Sequence, residues 1–213
     1  MKGKSSFVLK IAVLVLIFPL AALAQTLQTI KLPTPQTTGG RPLMEVLKDR
    51  KTSRDFGPGT LSPQMLSNLL WAAFGINRPD GRRTAPSAMN WQETRIYVAT
   101  PHGVYTYDAK GNALDPVLAG DHRGATGTQS FVKDAAVDLV YVSDRGNASS
   151  PDEQMYTAAD VGFIAQNVYL YCASEGLAVV VRGSVDRVAL GLLLKLQANQ
   201  KIILAQSVGY PKK

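Results

Sequence analysis

Arg50-Lys51-Thr52-Ser53-Arg54-Asp55-Phe56 places three cations and two hydroxyls within five consecutive positions, and Ala85-Pro86-Ser87-Ala88-Met89-Asn90-Trp91-Gln92 follows further along the chain. The first stretch suits a phosphate monoester: guanidinium forks donate paired charge-assisted hydrogen bonds, a lysine adds a point charge and a hydroxyl supplies a neutral donor. It also fits a solvated basic face. The second stretch offers neutral polar groups to a flat ring, or simply closes a turn through Ser and Asn bonds to its own backbone. Their order along one chain favours a single ligand with a phosphate end and a planar end.

Outward from these stretches, helical and strand periodicities alternate. A short helix is expected over Pro42 to Lys48, with Leu43, Val46 and Leu47 on one face. Ser62-Pro63 opens the next helix, whose buried stripe is Leu66, Leu69, Leu70, Ala73 and Phe74 up to Gly75. Gly75 to Ala85 reads as a polar loop. Strands are expected at Thr94 to Val98 and Val104 to Tyr107, the latter entering an Asp108-Ala109-Lys110-Gly111 turn as a hairpin-like insertion. Ala135 to Val142 reads as a central strand and Gly146 to Glu153 as a polar, mobile loop. The longest helix is expected from Tyr156 to Glu175, carrying Val161, Ile164, Ala165, Val168, Tyr169 and Cys172 at helical spacing, with Gly176 ending it in a left-handed conformation. A buried strand over Leu177 to Val181, the Gly183-Ser184 turn, a helix near Val188 to Leu194 and a last strand over Ile202 to Val208 complete the chain. Glycine at 183 fits either a close backbone approach to a planar ligand or a plain turn.

The first 24 residues read as a secretory signal. Lys2, Lys4 and Lys10 precede a nearly uninterrupted apolar run from Ile11 to Leu23, and Ala22-Leu23-Ala24 fits a small-x-small cleavage site. That run is shorter than the ~20 residues a bilayer-spanning helix needs, so no stable membrane anchor is expected after cleavage. No cysteine follows Ala24 to take a lipid, and the signal holds no Arg-Arg pair, which favours export of an unfolded chain. The expectation is a periplasmic or secreted protein: a signal over 1–24, an extended arm over 25–41 and one domain over 42–213. Loss of the three signal lysines lowers the formal charge from +7 to +4. Without a basic stripe interleaved with aromatics, nucleic acid is not an expected partner. Cys172 is the single cysteine, so no intrachain disulfide can form, and its apolar helical setting reads as a buried thiol. Two histidines without HxxxH or CxxC spacing give no metal site.

Taken together, the chain resembles the nitroreductase superfamily of FMN-dependent oxidoreductases from about Leu43 to Pro211. The match lies in ordered motifs: an R-R-S-x-R-x-F type opening at Arg50 to Phe56, A-P-S-x-x-N-x-Q at Ala85 to Gln92, a G-L-G-T-x-x-x-G-G-F type stretch at Gly176 to Val185, and Gly209-Tyr210-Pro211. Ala178 and Ser184 stand where the family pattern carries glycines. Gly103 to Tyr107 with Ala113-Leu114 is further similar to the SagB-type dehydrogenase branch, whose members oxidise azoline rings.

The resemblance implies an α+β fold, a central, mostly antiparallel sheet flanked by helices, in a homodimer with FMN at the subunit interface. It implies that Arg50, Lys51, Thr52 and Arg54 hold the phosphate and ribityl chain, with Lys212 and Lys213 reaching the phosphate. Pro86, Ser87, Ala88 and Asn90 would come from the partner subunit, and Arg182, Gly183 and Ser184 would lie at the isoalloxazine. Since only two residues follow Pro211, a looser interlock between subunits is expected than in relatives with a long C-terminal arm. Hydride would pass through flavin N5 between NAD(P)H, or another donor, and a small-molecule substrate. No catalytic side chain is singled out. A non-catalytic flavin-binding sensor or carrier, and an exported interaction domain with a merely basic surface, are the competing readings.

Overall fold

The computed structural model describes residues 27–145 and 150–213. The signal reading therefore falls outside the described residues, as does the 146–149 part of the expected loop. Within them no helix is long and apolar enough to cross a membrane.

The chain opens with the two-residue strand β1 (Ile30–Lys31) and helix α1 (Leu43–Asp49), followed by β2 (Phe56–Gly57) and α2 (Pro63–Phe74). Ser62 caps α2 by accepting from the Met65 N–H, and Pro63 occupies the first turn, where its missing N–H costs nothing. Next come β3 (Thr94–Ala99), β4 (Gly103–Asp108), β5 (Ala113–Ala119) and β6 (Val137–Ser143). Helix α3 (Pro151–Glu175), β7 (Ala178–Arg182), α4 (Arg187–Leu193) and β8 (Lys201–Pro211) complete the fold.

The strands form one sheet in the order β1-β5-β4-β3-β6-β8-β2, with β7 also pairing β8, and every pairing is antiparallel. Side chains alternate across a strand and both faces of β6 are covered, which explains its apolar run from Leu139 to Val142. Val137, Leu139 and Tyr141 join Ile96 and Val98 of β3 beneath α2 and α3. Val140 and Val142 join Tyr97 and Ala99 on the other face, covered by Leu190 of α4 with Val185 and Leu194 beside it. Cys172 sits fully buried in the α3 side of this core, and burial raises its thiol pKa.

Four details depart from the sequence expectations. The α1 face is not buried as a unit: Val46 is, whereas Leu43, Met44 and Leu47 stay exposed, because seven residues reach α3 along one side only. Residues 103–119 are no insertion but a hairpin continuing the sheet, with β4 paired to both β3 and β5. Strand β5 tolerates Pro116 because β1 pairs it at Ala113 and Leu114 alone, leaving one side of its remainder without a ladder. Helix α3 begins at Pro151 rather than Tyr156, since Ser150 caps it by accepting from the Glu153 N–H. At its other end Gly176 takes the expected left-handed conformation, φ 70°.

One ion pair lies inside the sheet. Arg182 closes β7 with its side chain 1% exposed and donates from Nη2 to Asp138 Oδ1 of β6 at 3.0 Å. Its Nε donates to Ser207 Oγ of β8, and Nη1 donates to the Thr126 carbonyl. Ser207 also donates to Asp138. Burial pushes the Asp138 carboxyl up, and the guanidinium and the Ser207 hydroxyl pull it back. A guanidinium left here without its carboxylate would be an uncompensated buried charge. Asp138→Ala is therefore expected to lower the unfolding free energy by about 3–5 kcal/mol, measured by denaturant titration; a loss below about 1 kcal/mol would show the pair to be dispensable. Gly127→Ala should damage the same network, because a Cβ there would stand 1.9 Å from Arg182 Nη1. Its melting temperature is expected to fall, and an unchanged value would contradict the crowding.

Candidate flavin site

The basic stretch begins where α1 ends. The Arg50 N–H closes the helix on the Val46 carbonyl, and the chain then runs extended along β7, with the Ser53 N–H donating to the Val179 carbonyl at 2.9 Å. Tyr169 of α3 ties the two segments together. Its hydroxyl accepts from the Val181 N–H at 3.0 Å and lies 2.9 Å from Thr52 Oγ1, while the Arg50 guanidinium sits over its ring at 5.3 Å. Because Val181 N–H can only donate, the phenol proton is free to point at Thr52.

Beside this junction an open cavity of about 680 Å³ is lined by residues that include Arg50, Lys51, Ser53, Val179, Pro211 and Lys212. The Lys212 N–H donates to the Asp55 carbonyl at 3.2 Å, which brings the C-terminal lysines to the basic stretch. Among the described residues none of Arg50, Lys51, Arg54, Lys212 and Lys213 takes part in an ion pair. The adjacent Asp49 is already engaged by Arg41 at 2.5 Å, and that guanidinium holds its carboxyl below the usual range. Arg50, Lys51 and Lys212, which line the cavity together with Asp49 and Asp55 and make no ion pair among the described residues, are matched to an anion from outside the chain.

Gly183 and Ser184 follow β7 and are exposed, two and three residues beyond the Val181 N–H that Tyr169 binds. A Cβ at Gly183 would meet nothing nearer than Leu204 Cδ2 at 4.0 Å, so packing within the protomer does not demand glycine there. The space is open to a planar ligand. The Arg182 side chain points away from them, its guanidinium committed to Asp138, Ser207 and Thr126. Only its backbone is left near that position.

Pro86, Ser87, Ala88 and Asn90 lie elsewhere. They form a tight turn over 87–92 in which Met89, Asn90 and Gln92 all have positive φ, at 48°, 56° and 48°. Ser87 Oγ accepts from the Gln92 N–H, and Asn90 Oδ1 accepts from Gln92 Nε2. The Ala88 N–H donates to both carboxyl oxygens of Asp160, at 3.1 and 2.9 Å. Asp160 and Tyr169 are nine positions apart on α3, about 13 Å along its axis. Within one protomer the turn and the basic stretch are thus held at separate points of the same helix. Tyr169 and Asp160 are the positioning residues that the sequence motifs did not reveal. The first looks like one more member of an apolar stripe, whereas the second, an acid within that stripe, was a readable signal.

Comparison with known proteins bears on the family and the fold. The nitroreductase family model matches residues 47–210. A protein of Methanocaldococcus jannaschii bearing a nitroreductase name is 30% identical over 155 residues, covering 67% of this chain and 78% of that one. A crystal structure from Ralstonia eutropha, named as a candidate nitroreductase, is 41% identical with a TM-score of 0.83, covering 90% of this chain and 93% of that one. The Vibrio harveyi NADPH:FMN oxidoreductase in complex with NAD+ shares the fold at 20% identity and a TM-score of 0.61, covering 80% and 69%. With its matched span running from the end of α1 to the end of β8, this chain belongs to the nitroreductase family.

Proposed function

We propose that the protein is an exported, homodimeric FMN oxidoreductase that passes hydride through flavin N5 to or from a small-molecule substrate. The observation that carries this reading is the group of cations outside any ion pair among the described residues, with Arg50, Lys51 and Lys212 lining one cavity and Arg54 in the same basic stretch, joined through Thr52, Tyr169 and Val181 to the open backbone of Gly183 and Ser184. A phosphate end and a ring end are thereby built into one protomer. FMN, when bound, supplies the redox chemistry.

The chain's own residues bind and orient. Arg50, Lys51 and Arg54 neutralise the phosphate, with Lys212 and Lys213 closing from the C-terminal side and Thr52 donating its hydroxyl proton. Gly183 and Ser184 leave the ring face uncovered by side chains. The turn bearing Pro86, Ser87, Ala88 and Asn90 serves the partner's flavin, a role supported by its separation from the basic stretch of its own protomer. A second copy is also supported by exposed apolar side chains on α1 (Leu43, Met44, Leu47) and α3 (Met155, Phe163). The N-terminal signal pattern supports a periplasmic or secreted location, where NAD(P)H is scarce and another donor would serve.

Arg54→Ala is expected to weaken FMN binding by about 1.5–3 kcal/mol, the value of a charge-assisted hydrogen bond, and an FMN dissociation constant unchanged from wild type would remove Arg54 from the phosphate site. The reading as a whole is tested by the visible spectrum after FMN incubation and desalting, followed by anaerobic NADH, NADPH or dithionite. Retained flavin bleached by NAD(P)H is the expected outcome for a nicotinamide-linked enzyme. Bleaching by dithionite alone would assign a different donor or a binding role, and no retained flavin would refute the proposal.

A further inference from the structure

Beneath the turn 87–92 lie two carboxyls that no cation pairs directly among the described residues. Asp160 on α3 is 3% exposed and receives the Ala88 N–H on both oxygens. Glu93, where the turn runs into β3, is 6% exposed, and neither of its oxygens has a hydrogen-bond partner among the described residues. The Asp160 carboxyl is its neighbour. Two buried carboxylates side by side repel, whereas one protonated and one ionised carboxyl form a strong charge-assisted hydrogen bond.

We propose that Glu93 and Asp160 hold one proton between them, and that this shared proton locks the turn 87–92 in its left-handed path. Glu93 carries the proton and donates to Asp160, whose ionised carboxylate accepts from it and from the Ala88 N–H. Burial, and then the neighbouring carboxyl, raise Glu93; burial also raises Asp160, while the Ala88 N–H and the Glu93 carboxyl lower it. Among the described residues the other charge acting on Glu93 is Arg145, at the end of β6. That guanidinium is itself engaged by Glu153 at 2.9 Å and lies 4.0 Å over the Trp91 ring. When pH rises and the proton leaves for solvent, the pair goes from one negative charge to two, and one carboxylate must turn toward water. The turn then loses its anchor.

Trp91 reports on this, since its ring sits beneath Arg145 and edge-on to Tyr156. In the full chain as purified, with Trp71→Phe leaving Trp91 as the sole tryptophan, emission is followed from about pH 4 to 9. The expected result is a one-proton step above the ordinary carboxylate range, absent in Glu93→Gln, whose amide donates to Asp160 at every pH. A missing step in the parent, or a step that survives Glu93→Gln, overturns the proposal. If that variant does not fold, infrared spectroscopy of the parent decides. A protonated carboxylic acid band lost at the midpoint of the emission step supports the shared proton, and its absence on the acid side of the step refutes it.

The link to cofactor rests on the function proposed above, in which this turn meets the partner's FMN. The FMN dissociation constant should then rise about threefold or more across the step in the parent and stay flat in Glu93→Gln. Failure of FMN to bind at any pH would refute that function and leave the emission step to judge the proton.

Discussion

The site depends on one hydroxyl. Tyr169 is the point at which α3, β7 and the extended basic stretch meet, and its oxygen answers two demands at once. It satisfies the Val181 N–H, a backbone donor on the side of β7 away from β8, and it holds Thr52 beside that strand. The ring beneath completes the junction by presenting its face to the Arg50 guanidinium. A phenylalanine would keep the packing and lose both bonds, leaving the Val181 donor without a partner. The conformation of residues 50–54 is therefore set by a residue that looks, within α3, like one more member of the apolar stripe.

Much of this was legible in the chain. Helix α2 follows from Ser62-Pro63 and the spacing of Leu69, Leu70, Ala73 and Phe74, and the end of α3 follows from Gly176, because those signals are local. The start of α3 was missed although Ser150, Pro151 and Glu153 form a cap, a first-turn proline and an acidic first turn; a polar stretch hid them. Strand β5 was missed because Asp115 and Pro116 disfavour strands in general, and their tolerance depends on how few residues β1 pairs, which is tertiary information. Arg182 was named by its place in a motif, and strand alternation says where its side chain goes: Ala178 and Val180 share its face and are buried. Asp138 within an apolar central strand was the matching sign that a buried cation would have to meet it.

Buried acids appear here in two settings. Asp138 faces a guanidinium and a hydroxyl inside the sheet, so its ionisation is matched by fixed partners from two strands, Arg182 of β7 and Ser207 of β8. Asp160 has only a backbone N–H and another carboxyl, so what it meets depends on a proton. The first setting stiffens the strand that leads into Gly183. The second places a titratable contact under a turn whose positive φ values already cost conformational energy.

The sheet also has consequences beyond the site. An antiparallel sheet of this size would ordinarily present long rows of unpaired backbone groups, the template on which chains aggregate edge to edge. Here β1 and β2 are two residues long. On the side of β7 away from β8, the Val179 carbonyl is taken by the Ser53 N–H and the Val181 N–H by the Tyr169 hydroxyl. The contacts that shape a binding site thus also close a strand to foreign pairing, protecting the folded chain from amyloid-like association along that border.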